Sequence, residues 1–432
     1  MPATANEENV RISVLPNGVR VATSAIPSVQ SVSLGIWAGV GGRHEPAGVS
    51  GISHFIEHML FKGTRSRSAL EISQAIEGRG GYLNAFTQEE STCYYARVPF
   101  DRVNDALDVL SDMYRRARLS PADIDRERQV IVEEIMMYRD QPQHEVFELL
   151  TTSLWQGHPL GRPIAGTPET LARIDRAAVS EYLHRMYVPA ATVVTFAGRL
   201  DHEDCVRAVR RLLGGMRAGR APTARAAGDG VRQRAEVFRA REVEQTHLAM
   251  GFRMFGRLDP RRHTLRVLNA IFGENMSSRL FQRIREQHGL AYSVQSSSHM
   301  MRETGALAIS AGMDGKNLVK TLRLVGEEVR RMKNRQVPGP ELARAKEYCV
   351  GQLRLGMEST TSRMMWLGEH LLTHGRVIPP EETVAALNAV TAPAIQRLAR
   401  EVMDRRRLSL AVVSPKLKGK VQAQASALAS GY

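Results

Sequence analysis

Cysteine is almost missing from this chain: there are three, Cys93, Cys205 and Cys349, widely separated and odd in number. That excludes a disulfide framework and a thiolate zinc knuckle, and it fits a reducing compartment. No apolar run approaches the ~18 residues of a membrane-spanning helix. The opening, MPATANEENVRIS, has neither a basic-then-apolar secretory pattern nor an Arg-rich, acid-free transit pattern. The expectation is a cytoplasmic protein without a membrane span. Lysine and aromatic residues are scarce too. The formal net charge is +14, yet the positive residues are mostly arginines spread along the chain with no interleaved aromatics. That is not the pattern of a nucleic-acid surface, so no nucleic-acid partner is expected.

What is present is the composition of a globular protein, with 43% apolar and 24% charged residues. At 432 residues the chain is too long for one ordinary core, and two or three domains are expected. Residues 214–234, GGMRAGRAPTARAAGDGVRQR, carry no hydrophobic period and read as an exposed linker. It divides the chain into a first half, 1–213, and a second, 235–432.

The two halves read as diverged copies of one plan. VPFDRVNDALDVLSDMYRRARLSPADIDRERQVIVEEI runs parallel to AGMDGKNLVKTLRLVGEEVRRMKNRQVPGPELARAKEYCVGQL. Each is an extended segment, a helix, a proline turn and another helix. Alternating stretches such as VSLGIWAGV and YLNAFTQEESTCYYARV mix with helical ones. The expected fold is therefore α+β, with two homologous domains, each a mainly antiparallel sheet packed with helices. Laid on the first half, the second places Ala345 against Glu127 and Gln352 against Glu134 and has no counterpart of the first half's two spaced histidines. Chemistry performed by the first half cannot be repeated by the second.

The stretch SGISHFIEHMLFKGT, residues 50–64, has the period of an amphipathic helix. At about 100° per residue, Ile52, Phe55, Ile56, Met59 and Leu60 form one stripe, and His54, Glu57 and His58 form a tight arc opposite it. Gly63 supplies a stop. Any surface helix shows a polar arc, so metal binding and a solvated face both stay open here. Imidazoles at i and i+4 can reach one zinc ion, and a carboxylate at i+3 projects between them, free to hold a water. Such a centre needs a third protein ligand and one open position.

SPADIDRERQVIVEEIMMY offers that ligand. Ser120 caps the helix, Pro121 opens it, and the apolar stripe carries Ile124, Val130, Ile131 and Ile135. Glu127 and Glu134 fall within the stripe, while Glu133 points to solvent. Carboxylates on a core-facing stripe are costly unless paired or metal-bound, which selects Glu134 or Glu127 and leaves pairing with an arginine as the alternative.

HFIEHMLFKGT, then YLNAFTQEESTCYYARV, then RERQVIVEEIMMYRD, in this order, resemble the inverted-motif zinc peptidases of the pitrilysin, insulin-degrading enzyme and mitochondrial processing peptidase family. The likeness runs over nearly the whole chain, and the layout is similar to the short bacterial relatives of the catalytic processing subunit. The resemblance implies one zinc ion per chain, held by His54, His58 and Glu134, with Glu57 as general base. It places Glu127 behind a ligand imidazole. Asn84 and Ala85, with Phe86 beside them, match the segment where relatives bind substrate backbone along a strand edge. On their own they read as sheet.

In SSRLFQRIREQHGLAYSVQSS a helix stopped by Gly289 leads into a strand. Arg285 and Tyr292 would alone be a surface arginine and a half-buried tyrosine. The resemblance gives them the substrate carbonyl and the tetrahedral intermediate. It further implies a clamshell-like assembly, as a homodimer or as a heterodimer with a non-catalytic homologue, acting on extended or unfolded peptides. Some relatives are instead non-catalytic scaffold subunits, usually with a ligand or the base missing. His144 departs from the acidic residue usual in processing-type relatives.

Overall fold

The computed structural model describes residues 10–228, 235–417 and 419–431. They fall into two compact units. One comprises Met1–Ile135, Arg162–Arg225 and Arg354–Pro379, and the other Met136–Gly161, Ala226–Leu353 and Pro380–Tyr432. The opening residues 1–9 and the last six of the expected linker, 229–234, lie outside the described residues. Residues 217–228 form neither helix nor strand.

The first unit is built on a six-stranded sheet of β1 (Val10–Val14), β2 (Arg20–Ala25), β3 (Ser31–Ala38), β4 (Tyr82–Thr87), β5 (Thr92–Pro99) and β6 (Thr192–Gly198), in the order β1-β2-β6-β3-β5-β4. Only β2 and β6 run parallel. Its central strands are buried on both faces, and period two sorts their side chains. Leu34, Ile36, Val194 and Phe196 join Phe55, Ile56 and Leu110 in one core. Trp37, Ala22, Val193 and Ala197 face Met364, Leu367 and Leu371 in the other.

The second unit repeats the plan with five strands. They are β7 (Glu236–Ala240), β8 (Thr246–Phe255), β9 (Ala291–Met300), β10 (Thr304–Met313) and β11 (Leu408–Ser414), in the order β7-β11-β8-β10-β9. Here β7 and β11 are the parallel pair. Strand for strand this matches β2-β6-β3-β5-β4, and β1 has no counterpart. Both units are thus mainly antiparallel sheets packed with helices, the α+β class expected from the sequence.

Two helices pack away from the half of the sequence they belong to. Pro142–Leu154 lies on β8 and β11 of the second unit, with Val146, Leu150 and Leu154 against Ala249, Ala411 and Val413. Thr360–His374 lies on β2, β3 and β6 of the first. That second approach is close enough to need glycine, since a Cβ on Gly368 would stand 2.1 Å from the Trp37 ring. Ser33 and Thr360 hydroxyls bond at 2.9 Å, and Arg20 donates to the Leu371 carbonyl at 2.8 Å.

Two local readings need correction. Val130 is 46% exposed and is not part of the buried stripe of its helix, which is Ile124, Glu127, Ile131 and Ile135. Six residues of α-helix put Val130 about 120° away from Ile124. The histidine helix also closes at Leu60, with Gly63 in the turn beyond.

Candidate metal centre

The helix Ile52–Leu60 presents His54, Glu57 and His58 because its other side is spent on the core, where Ile52, Phe55, Ile56, Met59 and Leu60 are each at most 1% exposed. Its start is fixed from outside. Gly51 takes a left-handed φ of +96°, and a Cβ there would meet the Ala165 carbonyl oxygen at 2.7 Å. Glu45 accepts the backbone N–H of Gly51 at 2.7 Å and of Ser53 at 2.8 Å, satisfying donors that a helix leaves unpaired in its first turn.

One turn apart, the His54 and His58 rings have centroids 4.6 Å from each other. From the helix Pro121–Arg139, Glu134 Oε2 lies 3.5 Å from His58 Nε2 and 3.8 Å from His54 Nε2. One donor atom from each of the three residues lies within 4.8 Å of the others, and no other such group occurs among the described residues. Glu134 Oε2 and His54 Nδ1 are buried without a hydrogen-bond partner. An orphaned carboxylate oxygen facing two imidazoles is costly, and a cation between them removes the cost. Zinc with bonds of 2.0–2.1 Å separates its ligand atoms by about 3.3 Å, close to the distances here. Two imidazoles and a carboxylate are a zinc set that leaves a fourth position open. The residues fit the metal.

The surroundings prepare the donors. His58 Nδ1 and Glu127 Oε1 are 2.9 Å apart, so the carboxylate selects the tautomer that leaves Nε2 free. Lys62 Nζ stands 2.7 Å from the other Glu127 oxygen. Burial pushes Glu127 upward, but the bonds from His58 and Lys62 outweigh it and hold the carboxyl below its ordinary value. Burial, with the neighbouring His58, lowers His54 to about 4 and keeps it neutral. Glu57 is lifted above its ordinary value by burial, against a hydroxyl bond of 2.5 Å from Thr87.

Thr87 ends β4, an edge strand bonded only to β5. Along it Asn84 is exposed and Ala85 and Phe86 are half-buried. Asn84 Nδ2 donates to the Tyr82 hydroxyl at 2.6 Å, and its Oδ1 accepts the Ala85 N–H at 2.8 Å. Phe86 packs edge-on against Trp37 at 5.6 Å. Arg285 and Tyr292 belong to the second unit. The segment Phe281–Gln287 is π-helical, and the Arg285 guanidinium lies 4.9 Å from the Phe281 ring centroid and 5.6 Å from that of Tyr292. Tyr292 is 76% exposed, so it is not half-buried. Glu145 is buried and bonded to Arg239 and Arg241.

Sequence reading missed Thr87, Lys62 and Glu45. Lys62 could have been found, four residues past His58, and Thr87 stands in the NAFTQEEST stretch. Glu45 offers no local signal.

Two zinc-type imidazoles in inverted spacing, a carboxylate from a second helix and a repeated sheet-and-helix unit define the class, and comparison with known proteins names it. Residues 20–168 match the family Insulinase (Peptidase family M16), and residues 173–349 match the Peptidase M16 inactive domain. A protein of Bacillus subtilis named uncharacterized zinc protease YmxG is 38% identical over 399 residues, covering 92% of this chain and 97% of that one. The chain belongs to the M16, or insulinase, peptidase family. A protease from Helicobacter pylori has the same fold, with a TM-score of 0.86 at 18% identity over 94% of this chain and 99% of that one. So has a chain of complex III2 from Candida albicans, with 0.83 at 18% over 97% and 99%.

Proposed function

We propose that this protein is a zinc metallopeptidase that hydrolyses internal bonds of extended or unfolded peptides. The observation that carries the reading is the meeting of His54, His58 and Glu134 donors within 4.8 Å, beside a Glu57 carboxylate anchored by Thr87. These three residues would hold one zinc ion per chain. When bound, zinc polarises the scissile carbonyl and makes water easier to deprotonate. Glu57 takes the proton of the attacking water and returns it to the leaving amine as the C–N bond breaks. Thr87 holds the Glu57 carboxylate in place, and Glu127 holds His58. The edge of β4 at Asn84, Ala85 and Phe86 pairs with substrate backbone as an added strand, which a folded domain cannot supply. Arg285 and Tyr292 donate to the developing oxyanion. In this reading residues 1–213 bear the zinc, residues 235–432 bring the arginine and tyrosine, and the protein works as a homodimer or with a non-catalytic homologue.

The competing reading, a non-catalytic core subunit, is suggested by the likeness to a complex III2 chain. Against it stands a donor set with the base intact. The test is cleavage of an unfolded-peptide library by the native chain and by Glu57→Gln, with zinc content measured in both. The proposal expects chelator-sensitive cleavage by the native chain and near-complete loss in the variant with zinc retained. A native chain that holds zinc and cuts nothing supports the core-subunit reading.

A further inference from the structure

A cavity of about 930 Å³ opens on the first unit, and none of His54, Glu57, His58 or Glu134 lines it. Six of its sixteen lining residues are arginines: Arg65, Arg115, Arg116, Arg118, Arg176 and Arg217. They come from the loop after the histidine helix, the end of the helix Val103–Arg116 and the turn beyond, the first residue of the helix Arg176–Met186, and the segment after the helix His202–Leu213. No aspartate or glutamate lines the cavity.

Three of these charges are already engaged. Arg115 donates to the carbonyls of Leu212 and, at 3.4 Å, Gly215. Arg118 donates to the Lys62 carbonyl at 3.2 Å and to Asp123 at 3.1 Å. Arg116 stands 3.8 Å from an Asp112 oxygen. Arg65, Arg176 and Arg217 have no side-chain partner among the described residues. Burial and, after it, the charge of Arg116 push Arg115 down. The chain enters this wall through Leu119, whose φ of +51° is the one positive value among described non-glycine residues.

The wall's chemistry narrows the ligand. Guanidinium forks grip phosphate oxygens two at a time, and the volume is that of a small-molecule site. The two tyrosines in the lining, Tyr114 and Tyr187, are 5% and 8% exposed. Their hydroxyls are held at 3.0 Å by Thr192 and 3.2 Å by Tyr94. The His184 imidazole is the one exposed ring in the lining, which offers no run of ring faces on which successive bases could stack, as a nucleic-acid strand requires. The geometry points to a binding site for a small oligophosphate, an anion with two or more phosphate groups, seated among Arg65, Arg176 and Arg217.

The test is calorimetric titration of the full chain with inorganic tripolyphosphate at physiological salt, both zinc-loaded and metal-stripped. Binding is expected in both states, at least about tenfold tighter than for orthophosphate. The triple variant R65Q/R176Q/R217Q should weaken it by about tenfold or more, since one charge-assisted hydrogen bond can be worth that factor. A control, R323Q/R330Q/R335Q, removes the same charge from exposed positions of the second unit and should change binding less than about twofold. Circular dichroism checks that both variants fold. Equal weakening by the two triples would reduce the effect to net charge and overturn the site. Binding only by the zinc-loaded chain, which marks chelation, or binding of a single-stranded oligonucleotide but not of tripolyphosphate, would overturn it too.

Discussion

Glu45 and Ser53 are joined by a 2.8 Å bond from the Ser53 N–H to the Glu45 carboxylate, which also accepts the Gly51 N–H through its second oxygen. Glu45 is 4% exposed, and burial raises its carboxyl from the ordinary 4.5 to about 7 against the pull of those N–H bonds. Between the two values the folded chain keeps a proton that the unfolded chain releases. This contribution to stability is full below the ordinary value and is lost as pH rises through about 7. Glu45→Gln cannot titrate. The stability difference between native chain and variant, measured on metal-free protein, should therefore shrink from pH 5 to pH 8 by on the order of 2–3 kcal/mol. A difference independent of pH would contradict this account of Glu45.

Glu127 acts through His58. Glu127→Ala removes the oxygen 2.9 Å from Nδ1 and leaves Lys62 without its partner. Metal affinity should fall by about 10- to 100-fold, read by competition with a chelating dye. Glu127→Gln, which still offers an oxygen, should lose less. Equal affinity in all three proteins would show that the imidazole needs no such support.

Thr87 acts through Glu57. Thr87→Val keeps the shape and removes the hydroxyl that donates at 2.5 Å. The turnover number should drop by about tenfold, with zinc affinity unchanged, and Thr87→Ser should restore it. A drop in zinc affinity instead would assign Thr87 to the packing of the helix.

Much of the centre was legible because it obeys a period. Four residues return a helix to the same face, so His54 and His58 had to share one. Glu127 and Glu134 stood out as acids at stripe positions. The inclusion of Val130 in that stripe was an error of angle. Other features leave no local trace. Glu45 caps a helix that begins seven residues later, beyond the three-residue reach of ordinary capping patterns. An apolar stripe reveals that a helix is buried, not which sheet buries it. Pro142–Leu154 and Thr360–His374 could therefore not be assigned to the opposite half's sheet from sequence. The doubling of the sheet was readable, since the β5-to-helix-to-helix run of the first half recurs after β10.

The most direct test of the metal centre is a crystal of the zinc-loaded protein with diffraction recorded on both sides of the zinc absorption edge. The account predicts one anomalous peak per chain, bounded by Nε2 of His54, Nε2 of His58 and a carboxylate oxygen of Glu134. A zinc-loaded crystal with no peak between those three side chains, or with its peak held by other residues, would contradict it.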